Sequence, residues 1–238
     1  MKKLFAILAV AIIPVVMFAQ EAAAPQQEKG HELVKRYFIE GGAEFMSLVL
    51  IALILGLAVA IERIITLGLA TTNSKKFLAS IDAELAKGNV EGAKEICKAT
   101  RGPIASICYQ GLARLNEGID IVEKSLVSYG SVQMGLLEKG LSWLSLFIAL
   151  APMLGFMGTV IGMIGAFDAI AAAGDISPTV VAGGIKVALL TTVFGLIAAI
   201  ILQIFYNYIV SKVDSLVNDM EDSSITFVDL IVKYKLAK

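Results

Sequence analysis

The sequence has 238 residues, is 57% hydrophobic and carries a formal net charge of −1. Its mean hydropathy of +0.79 is rarely reached by a soluble domain of this length, so the chain is read as an all-α integral membrane protein. The balanced charge offers no basic face for nucleic acid. Two cysteines, Cys97 and Cys108, and one histidine, His31, give neither a metal cluster nor a disulfide framework, and no cofactor is expected.

Residues 1–19 resemble a secretory signal peptide, with Lys2 and Lys3 ahead of a short apolar run and Ala19 at the cut. Cleavage near Ala22 to Ala24 and a retained N-terminal membrane helix are the alternatives. Residues 20–43 form an extracytoplasmic segment. It opens with a polar stretch to Gly30, followed by a short amphipathic piece from His31 to Phe38 that could lie on the membrane surface. His31 could be a pH sensor, but a single histidine is weak evidence, and the alternative is an exposed residue with no role.

The first span is expected over 44–69, with an apolar core from Phe45 to Ala60 and with Glu62 and Arg63 marking its exit from the hydrocarbon. Residues 70–142 then read as a helical cytoplasmic insertion. Ser74 is the expected N-cap of a helix whose apolar face is Phe77, Leu78, Ile81 and Leu85. Gly88-Asn89 separates it from a second helix with Val90, Ala93, Ile96 and Cys97 apolar. Gly102-Pro103 breaks again before a third face of Ile104, Ile107, Cys108, Gly111, Leu112 and Leu115. After Gly118 the spacing Val122, Ser125, Tyr129, Val132, Leu136 predicts a helix that runs unbroken into the second span. No strand signal, phosphate loop or nucleophile motif occurs in this insertion.

The second span is expected over 143–168, kinked at Pro152, which frees the carbonyl of Ile148. An extracytoplasmic turn at 169–177 ends on Ser177-Pro178, an N-cap followed by proline at the first helical position. The third span covers 178–210. Val213, Leu216, Val217, Met220, Val228, Ile231 and Val232 then continue the helix as a cytoplasmic tail over 211–238. The turn has no Lys or Arg, whereas Arg63, Lys75, Lys76, Lys139 and Lys212 flank the other span ends. The positive-inside rule therefore puts the insertion and the C-terminus in the cytoplasm and the mature N-terminus outside. In that compartment both cysteines stay reduced.

The most informative stretch runs from Ala151 to Asn207. Gly155, Thr159, Gly162 and Ala166 recur at spacings of four, three and four; Ala188, Thr192, Gly195, Ala199 and Gln203 do likewise on the next helix. Each set falls on one helix face, and such faces pack closely, either on each other or around something else. Gly158 and Gly165 add further small positions. The strings AP-x-x-G-x-x-GTV-x-G and GI-x-x-ALL-x-T-x-x-GL-x-AAI, with a later Tyr206-Asn207, resemble the MotA/TolQ/ExbB proton-channel family, most of all its ExbB/TolQ branch.

That resemblance implies a homo-oligomer, a pentamer in the ExbB branch, around the membrane helix of a smaller single-span partner of the ExbD/TolR type. The partner's helix carries an aspartate, and hydroxyls matching Thr159 and Thr192 face it. A TonB- or TolA-like protein would receive the work, at a bacterial inner membrane. Two features depart from the pattern. Relatives in the branch generally lack a cleaved signal, and a glutamate common in the third span is replaced by Val187, with Lys186 before it.

The residues themselves agree that a titrating carrier must come from elsewhere. No Asp or Glu lies at mid-span; the central polar groups are Thr159, Thr191 and Thr192, which are the candidates to line an ion path but do not titrate. Lys186 is the one ionisable group within a span, a gate or ion-pair candidate with Asp168 or Asp175, or a side chain that snorkels to the surface. The expected function is a non-enzymatic subunit of a proton-conducting motor complex, with a non-conducting scaffold for partner helices as the alternative. A self-contained transporter is disfavoured by three spans without an internal repeat.

Overall fold

The structure, a computed structural model, describes residues 30–174 and 178–236. The expected signal segment, Asp175 and the Ser177 cap lie outside the described residues.

Helix α1, Gly30–Glu40, belongs to a unit of its own. Val34 and Ile39 are exposed, Arg36 stacks on Tyr37 at 5.3 Å, and Arg36 pairs with Glu40 at 3.9 Å.

The second unit, from Gly41 onward, is built of helices joined by short turns, with no strand among its described residues. Helix α2 spans Ala43–Ala70. Helices α3 (Ser74–Ala86), α4 (Val90–Ala99) and α5 (Pro103–Ala113) follow, then a 3-10 turn at Leu115–Glu117 and α6 (Ile119–Glu138). Helices α7 (Leu141–Ala173) and α8 (Pro178–Leu236) complete the chain. Among the described residues three helices are long and apolar enough to cross a membrane, carried by α2, α7 and α8. The integral membrane all-α class holds.

α2 and α8 run parallel. A Cβ on Gly42 would sit 3.7 Å from Val187, and one on Gly56 would meet Leu202 at 2.7 Å. α7 runs antiparallel to α8 and pairs Ala166 with Gly184 at one end and Ala151 with Gly195 further down. With 59 residues, α8 is about 88 Å long, roughly three times the hydrocarbon thickness, so it projects well beyond the spans.

The projecting half of α8 supports the insertion. Phe227, Ile231, Leu216 and Met220 are buried in one core with Phe77, Ile81, Ile107, Leu112 and Leu126. The faces expected on α3 and α5 are the buried ones. Phe77, Leu78, Ile81 and Leu85 are buried on α3, and all six expected residues between Ile104 and Leu115 are buried on α5 and the 3-10 turn. α3 is capped one residue earlier than expected: Asn73, not Ser74, accepts the Lys76 amide at 3.1 Å.

The expected unbroken helix through residue 140 is two helices. Gly140 adopts φ 88°, which ends α6 at Glu138 and starts α7 at Leu141. The turn fits over Arg63, whose Cδ would lie 3.4 Å from a Gly140 Cβ. Arg63 is itself buried and bonded to Glu62. The expected face of α6 also fails in its second half: Val122 is buried and Ser125 and Tyr129 are half-buried, but Val132 and Leu136 are exposed.

Candidate functional site

Why α7 and α8 meet so closely follows from their glycines. A Cβ on Gly155 would stand 2.9 Å from the Thr191 carbonyl oxygen, and one on Gly195 would stand 2.6 Å from the Ala151 carbonyl oxygen. Gly162 faces Ala188 at 3.2 Å. The two small-residue faces therefore pack on each other along most of their length. In an apolar solvent this contact is the main source of helix association, because lipid chains offer no hydrophobic penalty to drive it. Ala199 is half-buried, packed beside a small cluster of Val49, Ala151 and Ala198. Gly165 is exposed, and nothing in this chain would meet its Cβ within 4 Å.

Two hydroxyls lie in this seam. Thr159 and Thr192 are hydrogen-bonded to each other through their Oγ1 atoms. Thr192 Oγ1 also lies 3.2 Å from the Gly155 carbonyl oxygen, and Thr159 Oγ1 lies 3.3 Å from the carbonyl oxygens of Gly155 and Ala188. Two hydroxyl hydrogens thus serve two carbonyls and one hydroxyl. Each hydroxyl has one donor and two acceptor lone pairs, so accepting capacity is left over on the pair. Both threonines are half-buried, which leaves that capacity open to a group beside the seam.

Thr191, expected to line an ion path, is 1% exposed and donates within its own helix, to Ala188 at 2.8 Å. It fills the space that Gly158 leaves, where a Cβ would be 2.9 Å from the Thr191 Cβ. Adjacent residues point about 100° apart on a helix, so Thr191 and Thr192 cannot both face the same gap.

Lys186 and Asp168 are both exposed. The antiparallel register puts Lys186 level with Ile164, so Asp168 stands about 6 Å nearer the C-terminal end of α7. Neither reaches the level of the threonine pair. Between Phe45 and Ile61, between Leu141 and Phe167, and between Val187 and Ser211 there is no charged residue. Among the described residues no group of three or more His, Cys, Asp or Glu could hold a metal.

Two contacts were missed from sequence. Gly184 would put a Cβ 2.4 Å from the Ala166 Cβ, and the Ala151 carbonyl lies against Gly195. Gly184 was findable, since it stands four residues before Ala188 on the same face.

The model of the MotA/TolQ/ExbB proton channel family matches residues 99–222, just over half the chain and including the whole α7–α8 seam. A putative biopolymer transport protein ExbB homolog of Methanothermobacter thermautotrophicus is 32% identical over 170 residues, 71% of this chain and 60% of that protein. Biopolymer transport protein exbB1 of Vibrio cholerae is 44% identical over 64 residues, 26% of this chain and 28% of that protein. Biopolymer transport protein ExbB of Xanthomonas campestris is 31% identical over 110 residues, 43% and 44% of the two chains. The chain thus spans less than two thirds of the length of each relative. The matched residues carry the glycine seam and its two hydroxyls, and the chain belongs to the MotA/TolQ/ExbB proton channel family, most like its ExbB/TolQ branch.

Proposed function

We propose that this chain is a subunit of a proton-conducting inner-membrane motor complex, which uses the proton motive force with an ExbD/TolR-like partner to drive transport or envelope work. The observation that carries the reading is the Thr159–Thr192 pair, lying at a depth where neither span holds a carboxylate. The pair can accept a hydrogen bond from a protonated carboxyl on a partner helix. It can also turn a hydroxyl away from a backbone carbonyl and donate to the ionised form. Both states of an aspartate are thereby solvated at a depth where an unsolvated charge is costly. The chain supplies the polar lining, and the partner supplies the proton carrier.

The driving term is ion flow through the membrane potential, about 2.3 kcal/mol per charge per 100 mV. Homo-oligomerisation, the insertion and C-terminus in the cytoplasm, and a TonB- or TolA-like recipient of the work belong to the same proposal. The basic residues Arg63, Lys139 and Lys212 at one set of span ends support the orientation.

A second reading, a scaffold that assembles partner helices without conducting, draws on the Gly155–Gly195 seam. The test is proton flux into liposomes under an imposed potential, for the chain alone, with its single-span partner, and with Thr159→Ala and Thr192→Ala in that complex. Flux that needs the partner and collapses with either change supports the motor reading. Partner-independent flux moves the path into this chain. No flux from an intact complex leaves the scaffold.

A further inference from the structure

α2 and α8 separate where they leave the apolar zone, and the gap is a cavity of about 360 Å³ bordered by Ile64, Gly68, Thr71, Tyr208 and Lys212. We infer that this cavity is a binding site for the anionic headgroup and upper acyl chain of a membrane phospholipid. The inference requires that α2 and α8 cross a bilayer, but not that the chain conducts.

Depth is the first argument. α8 carries no charge from Val187 to Ser211, roughly 37 Å of helix, and Lys212 is the first cation beyond it. The parallel register of α2 and α8 puts Arg63 about level with Tyr208. Gly140 lies against Arg63, and Trp143, one turn into α7, is 61% exposed. Exposed Trp143 and Tyr208 thus flank the level at which charge first appears, as aromatic side chains do at a membrane–water interface. The cavity begins at that level and extends one turn beyond it, at headgroup depth.

Chemistry is the second argument. Lys212 is half-buried on the cavity wall and, among the described residues, makes no ion pair or hydrogen bond. Tyr208 borders the same cavity and carries a hydroxyl as a further donor. Thr71 is not free to donate, because its hydroxyl is committed to the Leu67 carbonyl at 3.0 Å. The hydrocarbon side of the cavity is apolar, bordered by Ile64 and Ile209, and Gly68, about level with Lys212, leaves the headgroup level open: nothing would meet a Gly68 Cβ within 4 Å. A cation and a phenol at the water level above an apolar slot complement a phosphate with an acyl chain below it.

The experiment uses the full chain purified in mild detergent, delipidated, and titrated with phosphatidylglycerol or phosphatidylcholine in mixed micelles, with bound lipid counted by native mass spectrometry. Wild type should retain phosphatidylglycerol at least ten-fold better than phosphatidylcholine. Lys212→Gln should remove that preference, and Lys212→Arg should keep it. Gly68→Leu should lower retention of both lipids by filling the cavity at the headgroup level. Thermal denaturation of each variant checks the fold. Absence of preference in wild type would overturn the inference, whatever the variants do. So would unchanged retention in both Lys212→Gln and Gly68→Leu, or displacement of the lipid by millimolar inorganic phosphate. If the two variants instead disrupted oligomers while lipid retention stayed constant, a second copy of the chain would be the occupant.

Discussion

Gly155 and Gly195 face each other reciprocally: a Cβ on Gly155 would lie 3.3 Å from the Gly195 Cα, and a Cβ on Gly195 would lie 3.2 Å from the Gly155 Cα. Neither position can accept a methyl group without separating α7 from α8, because the nearest atoms are backbone. Gly155→Ala or Gly195→Ala should each destabilise by about 1–3 kcal/mol, the usual cost of overpacking. Gly165→Ala on the exposed face should be neutral or gain up to about 1 kcal/mol of helix propensity. Unfolding midpoints in detergent would rank the three. Equal losses at all three positions would mean that the seam is not the source of the stability.

The hydroxyl pair should separate stability from conduction. Thr159→Val keeps the shape but removes one hydroxyl, and Thr192 still has the Gly155 carbonyl to bond. The stability loss should stay near 0.5–1.5 kcal/mol. Proton flux in the partner-containing complex should fall at least ten-fold, and Thr159→Ser should restore most of it. A Thr159→Val complex that conducts normally would reduce the pair to packing.

The parts of the fold legible from sequence are those fixed by periodicity within one segment. Ile104, Ile107, Cys108, Gly111 and Leu112 were readable as a buried face because α5 packs on its own neighbours. The seam was readable because Gly and Thr recur at helical spacing in an otherwise apolar run, although spacing left open whether the two faces meet each other. The break at Gly140 was not readable. An isolated glycine in a helical pattern predicts nothing alone, and its positive φ makes sense only with Arg63 beneath the turn. Val132 and Leu136 have the right spacing for burial but stay exposed, because no other part of this chain covers them. For Thr191 the composition was right and the direction wrong, since only packing against Gly158 decides which of two adjacent threonines faces the gap.

The two cysteines should make the insertion sensitive to high pH. Burial pushes the Cys97 thiol up to about 12 and the Cys108 thiol well above its ordinary range, with the nearby Cys97 adding to the second shift. A thiol whose folded pKa is raised favours the folded state fully below the unfolded pKa, near 8.5, and loses that contribution as pH rises toward the folded value. The thiol contribution to stability should therefore be flat below about pH 8.5 and decline above it. The decline between pH 8.5 and 10.5 should be smaller in a Cys97→Ala, Cys108→Ala variant, which isolates the thiols from the tyrosines and lysines that titrate higher. At pH 8 the folded chain should also resist maleimide, with a Cys97 thiolate fraction on the order of 10⁻⁴. Rapid labelling of the folded protein would contradict the burial.

Gly102 and Gly118 offer a controlled comparison of backbone strain with steric crowding. Their φ angles are nearly the same, 116° and 115°, so an alanine meets equal conformational strain at each. Their surroundings differ. A Cβ on Gly102 would fall 2.7 Å from the Ala70 carbonyl oxygen and 2.8 Å from Thr72 Oγ1, whereas nothing lies within 4 Å at Gly118. Gly102 sits where the end of α2 meets the α4–α5 connection, a junction also tied by the Thr72 hydroxyl donating to the Arg101 carbonyl at 2.6 Å. Gly118→Ala should cost about 1–3 kcal/mol from strain alone. Gly102→Ala should cost about 1–3 kcal/mol more, since the Ala70 backbone cannot give way without shifting α2. Thr72→Ala in the Gly102→Ala background should recover only the side-chain part of that excess. A full recovery would show that the Ala70 backbone yields, so that α2 and the insertion are less rigidly joined at this point than the contact implies.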